Sequence, residues 1–348
     1  MPEANISRIR WSGGSTQMID LGREQGPGRE QGGDNPPLLL LHGGLGEAFQ
    51  WAPILAQLGR HRRVLAVDRP GHGLADPFDA RGIDLMAHAA TFIADVLDAA
   101  GAEQAALVGS SMGGLFATAF ALAHPARVEH LILQSPAGAT GELPLMLRLG
   151  TLPGLRALVR AQMRKPTRDS MRGFWKQLLV AHPERLPDEF LDLSALSQAR
   201  NAESWFALLD RTVDVRGLKR DLLAGARFAD LQVPTTLLWG DKDAFASPIH
   251  TERLRAQNPR LRVVHIADAG HAPWFDQPEA TATAILTALG ALPARPQPLR
   301  SRSGAPRLDP FRIRPWTVVP KAKRLRTRPG QRKDRALRRA RAFRKTIV

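Results

Sequence analysis

Cysteine and tyrosine are both absent from the 348 residues. The first absence excludes disulfides, thiolate nucleophiles and cysteine-ligated zinc. The second removes the phenol as an acid or oxyanion donor, leaving backbone amides or Ser, Thr, His, Asn, Gln and Trp side chains. No long apolar run occurs either. Leu38-Leu39-Leu40-Leu41 is far short of the roughly 18 to 20 residues that span a bilayer. The first residues, Met1-Pro2-Glu3-Ala4-Asn5-Ile6, show no basic stretch followed by an apolar core. No signal peptide is therefore expected, and the cytoplasm is the expected compartment.

Acidic residues are scarce at one end only. The formal charge of +16 invites a nucleic-acid reading, yet residues 291–348 hold 19 of the 49 Lys+Arg and only two acids, Asp309 and Asp334. The remainder has 30 basic and 31 acidic residues, a net of −1. The body is neutral and the alkaline character belongs to the tail. That tail carries Pro293, Pro296, Pro298, Pro306, Pro310, Pro315, Pro320 and Pro329, which predicts disorder. Binding to nucleic acid or an anionic surface is expected only through it, by way of the basic stretch 335–345. With 43% hydrophobic and 24% charged residues, the chain as a whole reads as an ordinary globular protein with a large core.

Residues 6–11 and 17–21 alternate about Ser12-Gly13-Gly14 and predict a hairpin. The repeated GREQG of residues 22–26 and 28–32 predicts an extended polar surface loop. From Pro37 onward, short apolar runs alternate with helical patterns, as in a parallel α/β sheet. Strands are expected at 38–42, 63–67, 105–109, 130–134, 235–239 and 261–266, with helices at 47–58, 84–100, 112–123, 248–257 and 278–290. Between Gln134 and Val233 the strand signal gives way to helical spacing over 143–163, 168–181 and 188–223. This predicts a core of 1–138 and 229–290, a helical cap of 139–228, and the basic tail of 291–348.

Gly109-Ser110-Ser111-Met112-Gly113 lies directly between the apolar run 105–108 and a helix-like stretch. Serine at so sharp a strand-to-helix turn takes a strained backbone, and small residues two before and two after it keep the chains apart. Ser111 is the candidate nucleophile, and the Met112 amide points at the same spot. His42-Gly43-Gly44 follows another strand, and the Gly44 amide pairs with that of Met112 as a candidate oxyanion hole. Asp243 lies in the loop after 235–239, with Asp241 read as a turn residue. His271 sits on a glycine-flanked loop after 261–266. Asp68-Arg69-Pro70-Gly71-His72-Gly73 follows strand 63–67, and His72 is expected to stabilise that loop.

These motifs, HGGLG (42–46), DRPGHG (68–73), GSSMGG (109–114), WGDKD (239–243) and AGHAP (269–273), resemble those of the α/β-hydrolase superfamily in their order. The resemblance implies an eight-stranded, mostly parallel sheet with helices on both faces and a helical cap between strands six and seven. It further implies a Ser111, His271 and Asp243 triad, with no cofactor and no metal. The chain is similar to the capped branch of esterases, cofactor-free haloperoxidases and meta-cleavage-product hydrolases. Serine at 111 argues against the dehalogenase and epoxide hydrolase groups, which use an aspartate there. The expected activity is acyl transfer to water from an ester-like, small hydrophobic substrate. Carbon–carbon bond hydrolysis and perhydrolysis are the alternatives, and a homo-oligomer is left open. Phe49, Trp51, Trp175, Trp205 and Trp274 are the expected lining of an apolar acyl pocket.

Overall fold

The computed structural model describes residues 4–22, 35–223, 225–245 and 249–292. The second GREQG repeat, most of the first, and the tail from residue 293 lie outside the described residues.

Eight strands form the main sheet: β1 (Ala4–Trp11), β2 (Gly14–Leu21), β3 (Leu38–Leu41), β4 (Val64–Val67), β5 (Ala105–Ser110), β6 (Val128–Gln134), β7 (Thr235–Gly240) and β8 (Arg262–Ile266). Their spatial order is β1-β2-β4-β3-β5-β6-β7-β8. The β1/β2 hairpin is antiparallel, β2 runs antiparallel to β4, and every later pairing is parallel. The central strands read as continuous apolar runs because both faces of the sheet are covered. Successive side chains point to opposite faces. Leu39, Leu41, Leu65, Val67 and Leu107 thus join one core, and Leu38, Leu40, Val64, Ala66 and Val108 the other. All four leucines of β3 are fully buried, each worth about 1.5–3 kcal/mol.

Helices cover the two faces. Ile54, Leu55 and Leu58 of α1 (Ala52–Gly59) pack on the second core. Phe92, Ile93, Val96 and Leu97 of α2 (Leu85–Ala99) pack on the first, as do Leu115, Phe116 and Phe120 of α3 (Met112–Ala123). Asp84 caps α2 by accepting the Met86 and Ala87 amides. The helix expected over 47–58 divides in two. A 3-10 turn at Ala48–Trp51 precedes α1, whose second residue is Pro53.

Between β6 and β7 the chain forms α4 (Leu145–Leu149), α5 (Pro153–Met163), α6 (Arg168–Leu178) and the long α7 (Asp188–Thr212). Two expected spans are corrected here. The stretch 143–163 breaks where Gly150 and Pro153 interrupt it, because proline at the start of a helix cannot continue the one before. The helical span expected to reach 223 ends at Thr212, where Val213–Asp214 turns back on Gly217–Leu218 with Gly217 at φ 128°. After β7 come α8 (Ile249–Gln257), β8, α9 (Pro273–Asp276) and α10 (Pro278–Ala288). Among the described residues, no helix is long and apolar enough to cross a membrane.

Candidate active site

The carboxyl ends of β3, β5, β7 and β8 converge beneath the helices inserted after β6, and a cavity opens there. Ser111 sits between β5 and α3 with φ 49° and ψ −116°, a left-handed strain rare for a residue with a side chain. Three bonds fix it there. Its amide donates to the Gln134 carbonyl at 2.9 Å, and its carbonyl accepts the Leu115 and Ala137 amides. The flanking glycines are sterically required. A methyl on Gly113 would overlap the Leu41 and His42 carbonyls, and one on Gly109 would meet the Gly113 carbonyl.

His271 and Asp243 meet across the site. Nδ1 of His271 lies 3.0 and 2.9 Å from the two Asp243 oxygens, with both side chains buried. The Phe245 amide donates to Asp243 Oδ1 at 2.8 Å, and the Phe245 ring stacks on the imidazole at 4.1 Å. Burial pushes the Asp243 carboxyl up. The imidazole, Ser135 and the Phe245 amide outweigh that effect and hold it below the usual carboxylate range. A carboxylate at Nδ1 keeps the ring proton there, so Nε2 carries the free lone pair. Nε2 is buried and, among the described residues, has no hydrogen-bond partner, the Ser111 hydroxyl included. Such contacts are often long before substrate binds.

The HGG loop is held from below. Arg69 is buried and donates to the His42 carbonyl through Nε at 2.8 Å and to the Gly43 carbonyl through Nη2 at 2.9 Å. The Arg69 amide donates to His42 Nε2, so the His42 proton lies on Nδ1 and donates to the Gly43 carbonyl. Burial, with Arg69 and His72 beside it, drives the His42 pKa well down. Burial lowers Arg69 itself to about 9. His72 donates from Nδ1 to the Pro70 carbonyl and accepts from Arg69 at Nε2, an arrangement that braces the loop. The close approach expected of glycine falls on Gly43, where a methyl would press on the Ser111 side chain at 3.2 Å. Around Gly44 there is open space. Both Gly44 and Met112 line the cavity.

The cavity wall also includes Trp175, Trp205 and Trp274, together with Leu143, Leu147, Phe174, Leu179 and Leu208. Phe49 and Trp51 are corrected, since neither lines it. The 3-10 turn that carries them faces the sheet, so both are buried in the core and Trp51 packs on Trp274 at 4.4 Å. Three further residues escaped the sequence. Ser135 (φ 40°) directly follows β6, and a relay joins it to the nucleophile turn: Ser110 donates to Gln134 Oε1 at 2.7 Å, and Gln134 Nε2 donates to Ser135 at 2.8 Å. Phe245, two residues after Asp243, touches both Asp243 and His271. Asp276 is fully buried and accepts the amides of Gly270 (2.8 Å), Ala181 (3.0 Å) and His182 (2.8 Å), tying the His271 loop to the segment after α6. A lone acid amid the aromatic and proline residues of 273–278 was the available signal. Among the described residues, no cluster of His, Asp or Glu could hold a metal ion.

Residues 36–278 match the family model of the alpha/beta hydrolase fold. The chain is 31% identical over 263 residues to a pimeloyl-[acyl-carrier protein] methyl ester esterase of Pectobacterium carotovorum, covering 72% of this chain and 92% of that protein. It is also 31% identical over 260 residues to a 2-hydroxy-6-oxononadienedioate/2-hydroxy-6-oxononatrienedioate hydrolase of Burkholderia vietnamiensis, covering 70% and 84%. In fold it is similar to the crystal structure of a meta-cleavage product hydrolase from Pseudomonas fluorescens, with a TM-score of 0.64 at 20% identity, covering 82% and 97%. The sheet order, the strand-to-helix serine turn and these matches converge: the chain belongs to the α/β-hydrolase fold family and is a hydrolase of that fold.

Proposed function

We propose that the chain is a serine hydrolase that cleaves an ester-like bond of a small hydrophobic substrate through an acyl-enzyme on Ser111. The observation that carries this reading is the buried Asp243–His271 pair. It leaves Nε2 without a partner among the described residues, in the cavity that Ser111 also lines. His271 Nε2 removes the Ser111 proton as Oγ attacks the substrate carbonyl. Asp243 keeps the ring oriented and stabilises the imidazolium. The Gly44 and Met112 amides stabilise the tetrahedral oxyanion. Collapse expels the alcohol, which takes its proton from His271. Water, deprotonated by the same nitrogen, then releases the acid and restores Ser111.

The cavity lining favours an uncharged acyl group. Most of its side chains are apolar, and among the described residues neither lysine nor arginine lines it. A dienedioate such as the Burkholderia relative is named for carries two carboxylates. Burying those without cationic partners costs several kcal/mol. An ester of an apolar acid avoids that cost, so ester cleavage is preferred over carbon–carbon cleavage. Perhydrolysis would use the same acyl-enzyme with hydrogen peroxide replacing water.

A series of p-nitrophenyl esters of increasing acyl length tests the proposal. Hydrolysis of the uncharged members, weakened when a carboxylate is placed at the far end of the acyl chain, is the expected result. Inactivity across the series, with cleavage of a dienedioate instead, would overturn it.

A further inference from the structure

Six of the eight exposed large apolar side chains among the described residues fall within the stretch 145–158. They are Leu145 (62% exposed), Met146 (40%), Leu149 (41%), Leu152 (38%), Leu155 (44%) and Leu158 (57%). Scattered exposed leucines need no explanation, but a cluster does. The pattern of α5 sharpens the point. A helix facing water turns its charged side outward. In α5, Arg156 and Arg160 instead turn toward α7, pairing with Asp210 and Glu203, while Leu155 and Leu158 point away from the protein. The outer face of α4 and α5 is therefore built to meet an apolar medium.

Charge selects the medium. From Leu143 to Arg168 the sequence has no acid, whereas it holds Arg148, Arg156, Arg160, Arg164, Lys165 and Arg168. Arg160 and Arg164 share the one Glu203 carboxylate. Arg148 donates to the Val215 carbonyl rather than to an acid. Among the described residues, Lys165 makes no ion pair. Arg156 is paired with Asp210 and Arg168 with Asp188 and Asp192, so the uncompensated positive charge of the rim rests on Arg148, Lys165 and the Arg160/Arg164 pair with its single carboxylate. A second copy of the chain docked about a two-fold axis would set this charge against itself. An anionic lipid surface satisfies both features at once, taking up the leucines while its headgroups meet the basic rim. The tail, with 19 Lys+Arg in residues 291–348, is a second basic element of the same sign. A single weak anchor binds membranes only marginally, and two together bind stably.

We infer that the outer face of α4 and α5 is a docking surface for an anionic lipid bilayer, on which the protein lies without crossing it. The same segment reaches the cavity from its inner side, through Leu143 and Leu147. Docking thus sets lipid directly outside the cavity wall. Delivery of an apolar ester from the bilayer to Ser111 rests on the hydrolase reading above, whereas docking itself does not.

Co-sedimentation of the full chain with vesicles tests docking without reference to activity. Wild type is expected to bind vesicles containing phosphatidylglycerol, and to bind phosphatidylcholine vesicles weakly. The double variant Leu155→Gln/Leu158→Gln, with an unchanged thermal midpoint, is expected to bind about tenfold more weakly. The double variant Arg148→Gln/Lys165→Gln is expected to lose about fivefold per charge on anionic vesicles only. It disturbs no apolar packing, so it decides the matter if the leucine variant is unstable. Binding by both variants at wild-type strength would overturn the inference and assign the attraction to the tail. Absence of wild-type binding would overturn it too. So would a dimer, or a complex with an acidic carrier protein, that the leucine substitutions abolish while vesicle binding is unchanged.

Discussion

Nδ1 of His271 faces both carboxylate oxygens of Asp243, at 3.0 and 2.9 Å, and Phe245 contacts both members of the pair. Its amide holds Asp243, and its ring covers His271. Orientation and tautomer of the imidazole are therefore set before any substrate arrives, and only Nε2 is left to take a proton.

Asp243→Asn reverses that tautomer. An amide NH₂ facing Nδ1 would donate to it, move the ring proton to Nε2 and block proton abstraction. Ester hydrolysis is expected to fall by about 10⁴-fold in kcat with the fold intact. Ser135→Ala is a milder probe. Losing one bond that holds the Asp243 pKa down should raise it, and the Asp243 carboxyl titration followed by NMR should move to higher pH. An Asp243→Asn enzyme with near-wild-type rate would refute the assignment of Asp243.

Asp276 is the fastener of the histidine loop. Its two oxygens accept three amides from both sides of the junction. Asp276→Asn retains one acceptor and turns a donor toward the others. A loss of about 3 kcal/mol in urea unfolding is expected, because buried donors are left unsatisfied. A lower kcat is expected alongside it, since Gly270 adjoins His271. Unchanged stability would show that water satisfies these amides equally well.

His72 makes stability fall in mild acid. The folded protein holds its pKa down at about 3, through burial and the Arg69 charge. The unfolded chain protonates this ring near the ordinary value of about 6.5. Below that value the unfolded state binds the extra proton, so stability present above about pH 6.5 is lost as pH falls toward 3, at about 1.4 kcal/mol per unit. His42 and His88 are held down by burial as well, so urea unfolding between about pH 7 and pH 5 should show a steeper slope than this in the wild type, and one shallower by about this amount in His72→Gln. Equal slopes would show that His72 is not the source.

Much of the fold was legible because each relevant signal is local. Four consecutive buried leucines in β3, the alternation of β1 and β2, and glycines that steric contact demands at 109 and 113 all leave marks in the sequence. So did the order Ser111, Asp243, His271, which the topology brings to one side of the sheet. Phe49 and Trp51 were expected to line the pocket as apolar aromatics, and aromatic character alone does not say which way a 3-10 turn faces. Ser135, Phe245 and Asp276 were hidden for the opposite reason. Each acts through contacts with segments remote in sequence, or through a backbone amide that any residue possesses. The face of α4 and α5 lay between these cases. Its leucines were visible, but their outward direction depends on α7 supplying Asp210 and Glu203.

The central claim is that Ser111 is the activated nucleophile, and active-site labelling tests it most directly. Native full-length protein treated with a fluorophosphonate, digested and mapped by mass spectrometry, should carry a single adduct on Ser111. Labelling should vanish on denaturation and in Ser111→Ala, and should slow by orders of magnitude in His271→Ala. An adduct on another residue, or an unlabelled native protein, would contradict the account.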